Sequence, residues 1–286
     1  MILREALVQA EQRAQLPAQK CSDLEYAVAA SRGWTRADLL MRLSDSAEEG
    51  LVMLANQVAG RLAHDYPVEY ITKSAAFCDI VVRMEEGVLV PRPETEELVQ
   101  MAVDFINTQE AHPARLLELC SGSGAVALAI AQALPAVTVV GMDIDGRSVS
   151  CSRQSTSDLG LSGRVTFVQG NALGSWLPAL AELGGPIDVM VSNPPYVRGD
   201  RLPQAHASSP FEPVPALYGG ASGLIFYRRI IAQAHRFLRP GGLLALEIDD
   251  GLEDAVLQLF RREHMSEGRW LADFRGLPRY AVALNT

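Results

Sequence analysis

A chain of 286 residues, 48% apolar and 21% charged, has the make-up of an ordinary globular protein with room for one large domain and a smaller one. Its net charge of −9 argues against non-specific binding to nucleic-acid phosphates, for which Lys and Arg supply the affinity. Cys21, Cys78, Cys120 and Cys151 follow no zinc or disulfide spacing and the five histidines form no metal-spaced pair, so no metal centre is expected. Arg4, Glu5, Glu11 and Arg13 interrupt any signal-peptide core, and no apolar run is long enough to span a membrane. The cytoplasm is the expected compartment.

Residues 1 to about 65 read as helical. Leu3, Leu7 and Ala10 fall at helical spacing, and Leu24, Ala27, Val28 and Ala30 form a second stripe. Thr35 with Asp38 has the form of a capping box. Ser46 is expected to open a helix to Ala63, with Leu51, Leu54, Ala55, Val58 and Leu62 on one side. The set predicts a small helical bundle, residues 1–65, suited to docking a partner or substrate. Residues 66–90 are expected to form a β-hairpin linker, with strands Phe77–Val82 and Gly87–Val90 around Glu85-Glu86-Gly87. Pro91-Arg92-Pro93 then leads into a helix from Glu94 to Asn107.

From residue 91 to 286 the pattern is that of an α/β domain. Strands are expected at Arg115–Leu119, Val137–Met142, Val165–Val168, Ile187–Val191 and Leu243–Ile248, the last after a turn at Pro240-Gly241-Gly242; two more follow at Trp270–Phe274 and Tyr280–Leu284. Helices are expected at Ala125–Leu134, Ser148–Leu159, Leu224–Leu238 and Leu252–Arg261. Such alternation implies a mostly parallel sheet covered on both faces.

Two places in this domain carry chemistry. Cys120-Ser121-Gly122-Ser123-Gly124 joins a strand to a helix through small residues, which let a ligand approach the backbone beside free helix N–H groups. No Lys-Ser/Thr pair follows, so it is no P-loop. Asp143 ends the next strand about 20 residues on, where an acid grips ribose hydroxyls in nucleotide-binding α/β folds. The pair predicts nucleoside binding, with a dinucleotide and S-adenosylmethionine both open, and a capping role for Asp143 as the bland alternative. The second place is Asn193-Pro194-Pro195-Tyr196, which stops a buried strand. Both prolines lack an N–H and restrict the residue before them, so Asn193 stands at a stiff corner where ligands of open sheets bind. The Asn193 side-chain carbonyl and the Pro194 carbonyl can accept both hydrogens of a planar –NH2 group, and Tyr196 offers a flat face with a hydroxyl.

With Pro91-Arg92-Pro93-Glu94-Thr95-Glu96, Glu212-Pro213, Ala216-Leu217-Tyr218-Gly219-Gly220 and Pro240-Gly241-Gly242, these motifs resemble the HemK/PrmC family across nearly the whole chain. Members of that family methylate a glutamine side-chain amide in peptide-chain release factors. The resemblance implies a class I methyltransferase-like fold, a seven-stranded mostly parallel sheet with helices on both faces and its last strand antiparallel. It implies S-adenosylmethionine as methyl donor, S-adenosylhomocysteine as product, a release factor as protein partner and a monomer that binds no nucleic acid directly. Cys120, Ser121, Gly122, Ser123, Gly124, Asp143, Asn171, Ala172 and Asn193 would hold the cofactor. Asn193 and Pro194 would be catalytic, and with Pro195 and Tyr196 would bind the substrate amide. Pro91–Glu96 would wall the methionine end of the cofactor, and Tyr196 and Phe77 are candidate neighbours of its sulfonium.

The chain departs from the family pattern at four places. Cys120 replaces the first glycine of the turn, Asn171-Ala172 replaces an acid and often a tryptophan near the adenine, and Asp79 and Asp249 each replace a glycine. Rival readings are a methyltransferase acting on a nucleic-acid exocyclic amine or on a small molecule, and a non-catalytic binding module. A dehydrogenase leaves Asn-Pro-Pro-Tyr without a purpose.

Overall fold

In the computed structural model, residues 1–109 and 114–286 are described. They form two compact units, one comprising Met1–Ser74, Met84–Glu86 and Ser209–Phe211, the other Ala75–Arg83, Gly87–Ser208 and Glu212–Thr286.

The first unit holds helices α1 (Leu3–Ala14), α2 (Cys21–Ser31), α3 (Arg36–Arg42), α4 (Glu49–Ala63) and α5 (Val68–Thr72). Leu3, Leu7, Leu24, Val28, Leu51, Ala55, Val58 and Leu62 meet in one core. In α2 Ala29 is buried beside Ala27 and Val28, and Ala30 faces solvent. Asp38 N–H donates to Thr35 Oγ1 and Thr35 N–H to Asp38 Oδ2, so the capping box forms. Helix α4 starts three residues later than the pattern suggests. Ser46 is held extended against Ile2, with Ala47 N–H donating to the Met1 carbonyl, and this pairing competes successfully with a helical turn.

The second unit begins with β1 (Ser74–Phe77, all but its first residue) and β2 (Ile80–Arg83). The hairpin therefore turns at Cys78-Asp79, not at Glu85-Glu86-Gly87, and 87–90 is not a strand. Cys78 adopts a left-handed φ of 47° and its N–H is caught by Glu96 Oε1, which offsets the cost of a turn without glycine. The elements that follow are α6 (Glu96–Thr108), β3 (Arg115–Leu119), α7 (Ala125–Ala133), β4 (Thr138–Asp143), α8 (Gly146–Asp158), β5 (Val165–Gln169), α9 (Leu177–Leu183) and β6 (Ile187–Ser192). Then come α10 (Leu202–Ser208), α11 (Val214–Leu217), α12 (Ile225–Phe237), β7 (Leu238–Glu247), α13 (Glu253–Arg262), β8 (Ser266–Ala272) and β9 (Pro278–Leu284).

The seven-stranded sheet runs β5-β4-β3-β6-β7-β9-β8, with β9 antiparallel to both its neighbours and the rest parallel. Strand alternation sends Leu117, Leu119, Val140 and Met142 into the core beneath α9, α12 and α13, while Glu118 faces the other way and accepts a hydrogen bond from α7. Helices thus cover both faces, as expected. The Pro240-Gly241-Gly242 turn is an irregularity inside β7, where the register with β6 shifts between Ile187 and Val189. Asp188 beside it is satisfied by Arg239 Nε at 2.6 Å and Arg115 N–H at 2.8 Å. The chain order reverses between β3 and β6, so their C-terminal ends flank the crevice where open α/β sheets bind ligands.

Candidate active site

Three consecutive features build the floor of this crevice. In the loop after β3, Cys120, Gly122 and Gly124 all take positive φ, at 59°, 52° and 77°. A Cβ on Gly124 would lie 2.5 Å from the Phe167 ring, and one on Gly141 of β4 would lie 2.3 Å from it, so these two glycines serve packing. A Cβ on Gly122 would meet nothing within 4 Å. Its backbone is open to the cavity instead. Asp143, at the end of β4, steers that backbone: its Oδ2 accepts from Gly122 N–H at 2.8 Å and its Oδ1 from Asp145 N–H at 2.9 Å. Burial raises the Asp143 pKa while these N–H groups pull it down. Ser121 Oγ is buried without a hydrogen-bond partner among the described residues.

The Asn193 corner is held on two sides. Ser192 Oγ donates to the Leu119 carbonyl at 2.7 Å, tying the end of β6 to the end of β3. Beyond the prolines, Val197 N–H donates to the Leu217 carbonyl and Gly219 N–H to the Val197 carbonyl. A Cβ on Gly219 would lie 2.7 Å from Tyr196 Cα, so only glycine lets the 217–219 strip pass so near. Asn193 Nδ2 donates to Thr95 Oγ1 at 3.1 Å, and Tyr196 OH donates to Glu247 Oε1 at 3.2 Å.

A cavity of about 490 Å³ lies between loop and corner, in the range that takes a nucleoside-sized ligand. Cys120, Gly122, Asp143, Asn171, Ala172, Asn193 and Pro195 line it. Ser121, Ser123, Gly124, Pro194 and Tyr196 do not, and stand behind it. Asn171 Oδ1 is engaged by Leu173 N–H at 2.8 Å. Burial, first of all, pushes the Cys120 thiol far up, so it is a neutral wall and not a nucleophile. Phe77 and Pro91–Glu96 stay outside this cavity. Arg92 instead pairs with buried Glu212, whose other oxygen takes Val90 N–H at 3.2 Å. That pair ties the segment 90–92 to the stretch that leads into Pro213, Pro215 and Ala216, which with Leu89, Ile144 and Phe226 supply apolar parts of the walls. Pro213 and Ala216 belong to motifs visible in the sequence, but nothing in the sequence marks Leu89, Ile144, Pro215 or Phe226 as lining. Among the described residues, no group of His, Cys, Asp and Glu could hold a metal ion.

Residues 100–210 match the family model of the methyltransferase small domain. The chain is 34% identical over 266 residues to the release factor glutamine methyltransferase of Gloeobacter violaceus, spanning 91% of this chain and 89% of that protein. It is 35% identical to the enzyme of the same name from Moorella thermoacetica, again over 91% of this chain and 90% of that one. The chain belongs to the release factor glutamine methyltransferase family. More distant solved structures share the fold. A methyltransferase from Pyrococcus furiosus aligns with TM-score 0.51 at 18% identity over 80% of this chain and 98% of its own. The human methyltransferase 10 domain containing protein aligns at 0.53 and 17%, over 69% and 84%.

One acid of this family member escaped the sequence reading. Glu118 is buried in β3, one residue from the loop that begins at Cys120, and its Oε2 accepts from Ala127 N–H at 3.0 Å. Burial lifts its pKa from 4.5 to about 8, the Ala127 bond opposing the shift. Because the folded pKa lies above the unfolded one, the folded state holds the extra proton between these values, and stability falls as pH rises from 4.5 to about 8. Glu118→Gln keeps the acceptor for Ala127 and removes the titration. The variant is expected to match the parent near pH 5 and to exceed it by roughly 2–4 kcal/mol at pH 8.5, read from urea midpoints. Equal slopes against pH in both proteins would show that Glu118 is already ionised in the fold.

Proposed function

We propose that the chain transfers a methyl group from S-adenosylmethionine to the side-chain amide nitrogen of a glutamine in a peptide-chain release factor, leaving S-adenosylhomocysteine. The observation that carries this reading is that Asn193 lines the same cavity as Gly122 and Asp143, with its amide nitrogen already committed to Thr95. Its carbonyl oxygen is the end left over for a ligand.

The residues present fit a nucleoside cofactor. Asp143 retains acceptor capacity for a ribose diol after serving its backbone donors, and Gly122 leaves room at the loop. Ala172, Leu89 and Phe226 supply apolar surface for a base. When bound, S-adenosylmethionine supplies a methyl carbon made electrophilic by its sulfonium. The protein's task is then to present a poor nucleophile, since an amide lone pair is delocalised into its carbonyl. Asn193 Oδ1 and the Pro194 carbonyl accept the two amide hydrogens, which fixes the nitrogen and favours a localised lone pair. No general base is required if the surplus proton leaves to solvent after the N–C bond forms. Rigid placement of this kind contributes several kcal/mol, with roughly 7–11 as the ceiling.

The same reading makes the working form a monomer in the cytoplasm that acts on a protein and not on nucleic acid. Supporting it, the acid excess suits no polyanion, and no helix among the described residues is long and apolar enough to cross a membrane. Mass spectrometry of a release factor incubated with the protein and S-adenosylmethionine tests it. One methyl on a single glutamine is expected; an unmodified release factor alongside a methylated oligonucleotide or small amine would overturn it.

A further inference from the structure

We propose that Thr95 and Glu247 are positioning residues that decide which end of the Asn193 side chain faces the substrate, a role that presupposes the amide-accepting reading of Asn193 above. The two ends of an asparagine amide have nearly the same shape and opposite hydrogen-bonding sense. Turned one way, Asn193 offers the cavity an acceptor for a substrate N–H. Turned the other, it offers a second NH2 group, which meets the substrate donor to donor. Packing cannot choose between them, so the choice falls to whatever holds the far end.

That far end meets Thr95 Oγ1, 3.1 Å from Asn193 Nδ2. A hydroxyl has one proton, and Thr95 spends it on Glu247 Oε2 at 2.7 Å, both side chains being buried at 4% and 1% exposure. An ionised carboxylate can only accept. Thr95 must therefore donate to Glu247, keeps only lone pairs for Asn193, and so selects its NH2 end. The Asn193 carbonyl is left toward the cavity by elimination. Glu247 is itself fixed from several directions. Tyr196 OH donates to its other oxygen at 3.2 Å, and Tyr227 OH to its backbone carbonyl at 2.9 Å. Burial raises its pKa, but the Thr95 and Tyr196 hydroxyls and the Arg279 cation favour the charged form. The motif tyrosine is thus turned away from the cavity to serve the acid that sets the motif asparagine.

Three substitutions separate polarity from packing. Thr95→Val keeps the volume and removes the hydroxyl, Thr95→Ser keeps the hydroxyl, and Glu247→Gln keeps the shape but can donate to Thr95, freeing the Thr95 proton for Asn193 Oδ1. The direct readout is the Asn193 side-chain NH2 signal in a 15N-labelled protein, assigned by its loss in Asn193→Ala. Slow proton exchange is expected in the parent and in Thr95→Ser, and fast exchange in Thr95→Val and Glu247→Gln. With a release factor as substrate, kcat should fall about 100-fold in the latter two and stay within about fivefold in Thr95→Ser. Affinity for S-adenosylhomocysteine should not move. Protected Asn193 signals in both Thr95→Val and Glu247→Gln, or a Thr95→Ser variant as impaired as Thr95→Val, would overturn the proposal. Should Glu247→Gln fail to fold, the valine–serine comparison decides alone. A parent protein that leaves the release factor unmethylated would sink the proposed function, while the exchange data would still report on the orientation of Asn193.

Discussion

Asn193→Ala is expected to fold as the parent does and to lose about 100- to 1000-fold in kcat at saturating cofactor. The fold survives because the corner does not depend on this side chain. Ser192 is pinned to Leu119, Val197 to Leu217, and Gly219 to Val197, all by bonds that the substitution leaves alone. Asn193 is half-buried against the cavity, so water reaches the Thr95 oxygen that loses its donor. Turnover is another matter. With Pro194 as the sole remaining acceptor, the substrate nitrogen can rotate and its lone pair is no longer held toward the methyl group. Losing one preorganised polar group of this kind costs about 100- to 1000-fold in other active sites. Single-turnover measurement of methyl transfer, with cofactor saturating, isolates the step. A variant keeping a tenth of the parent rate would take Asn193 out of the mechanism.

Much of this architecture was legible locally. The run Ile187–Val191 is apolar apart from Asp188, with β-branched Ile187, Val189 and Val191, and every residue of β6 is buried. The reading failed where neighbours overrode local signals. The turn of the β1–β2 hairpin uses Cys78 at positive φ, where a glycine would be the usual signal, whereas Glu86-Gly87 does turn but joins no two strands. Strand β8 starts at Ser266, earlier than its pattern suggests, because it is a mostly exposed edge strand and Glu267 bulges at φ 53°. Helix α9 spans only seven residues, too short for its periodicity to mark it in the sequence. At the site, Gly122, Asp143 and Asn193 were visible because each sits at a strand end with a distinctive neighbour. Thr95 stands in a motif, but its pairing with Glu247 was not visible. They stand 152 residues apart, and only the fold brings a helix-entry hydroxyl to the last residue of a strand. Gly219 shows the converse. Its place in a motif was visible, but the reason, a 2.7 Å approach to Tyr196, needed coordinates.

Asp143→Ala separates a ligand contact from a structural cap. The carboxylate does two things at once. It holds Gly122 N–H and Asp145 N–H, which shape the loop, and it faces the cavity with acceptor capacity to spare. If only the first mattered, the substitution would lower stability and leave affinity nearly intact. We expect the reverse. Burial raises the Asp143 pKa, so the folded state already bears a cost for keeping the charge there, and removing it returns part of what the two backbone bonds contribute. Water entering from the cavity reaches both freed N–H groups. The net loss of stability should be about 1 kcal/mol or less. A ribose diol, by contrast, loses a charged acceptor, worth roughly 1.5–3 kcal/mol per bond. The dissociation constant for S-adenosylmethionine should therefore rise about 10- to 150-fold for one such bond lost, measured by calorimetry beside a urea melt of the same preparation. Unchanged affinity with a lowered melt midpoint would reduce Asp143 to a cap, and the nucleoside would have to be gripped by the Gly122 backbone and the other walls of the cavity.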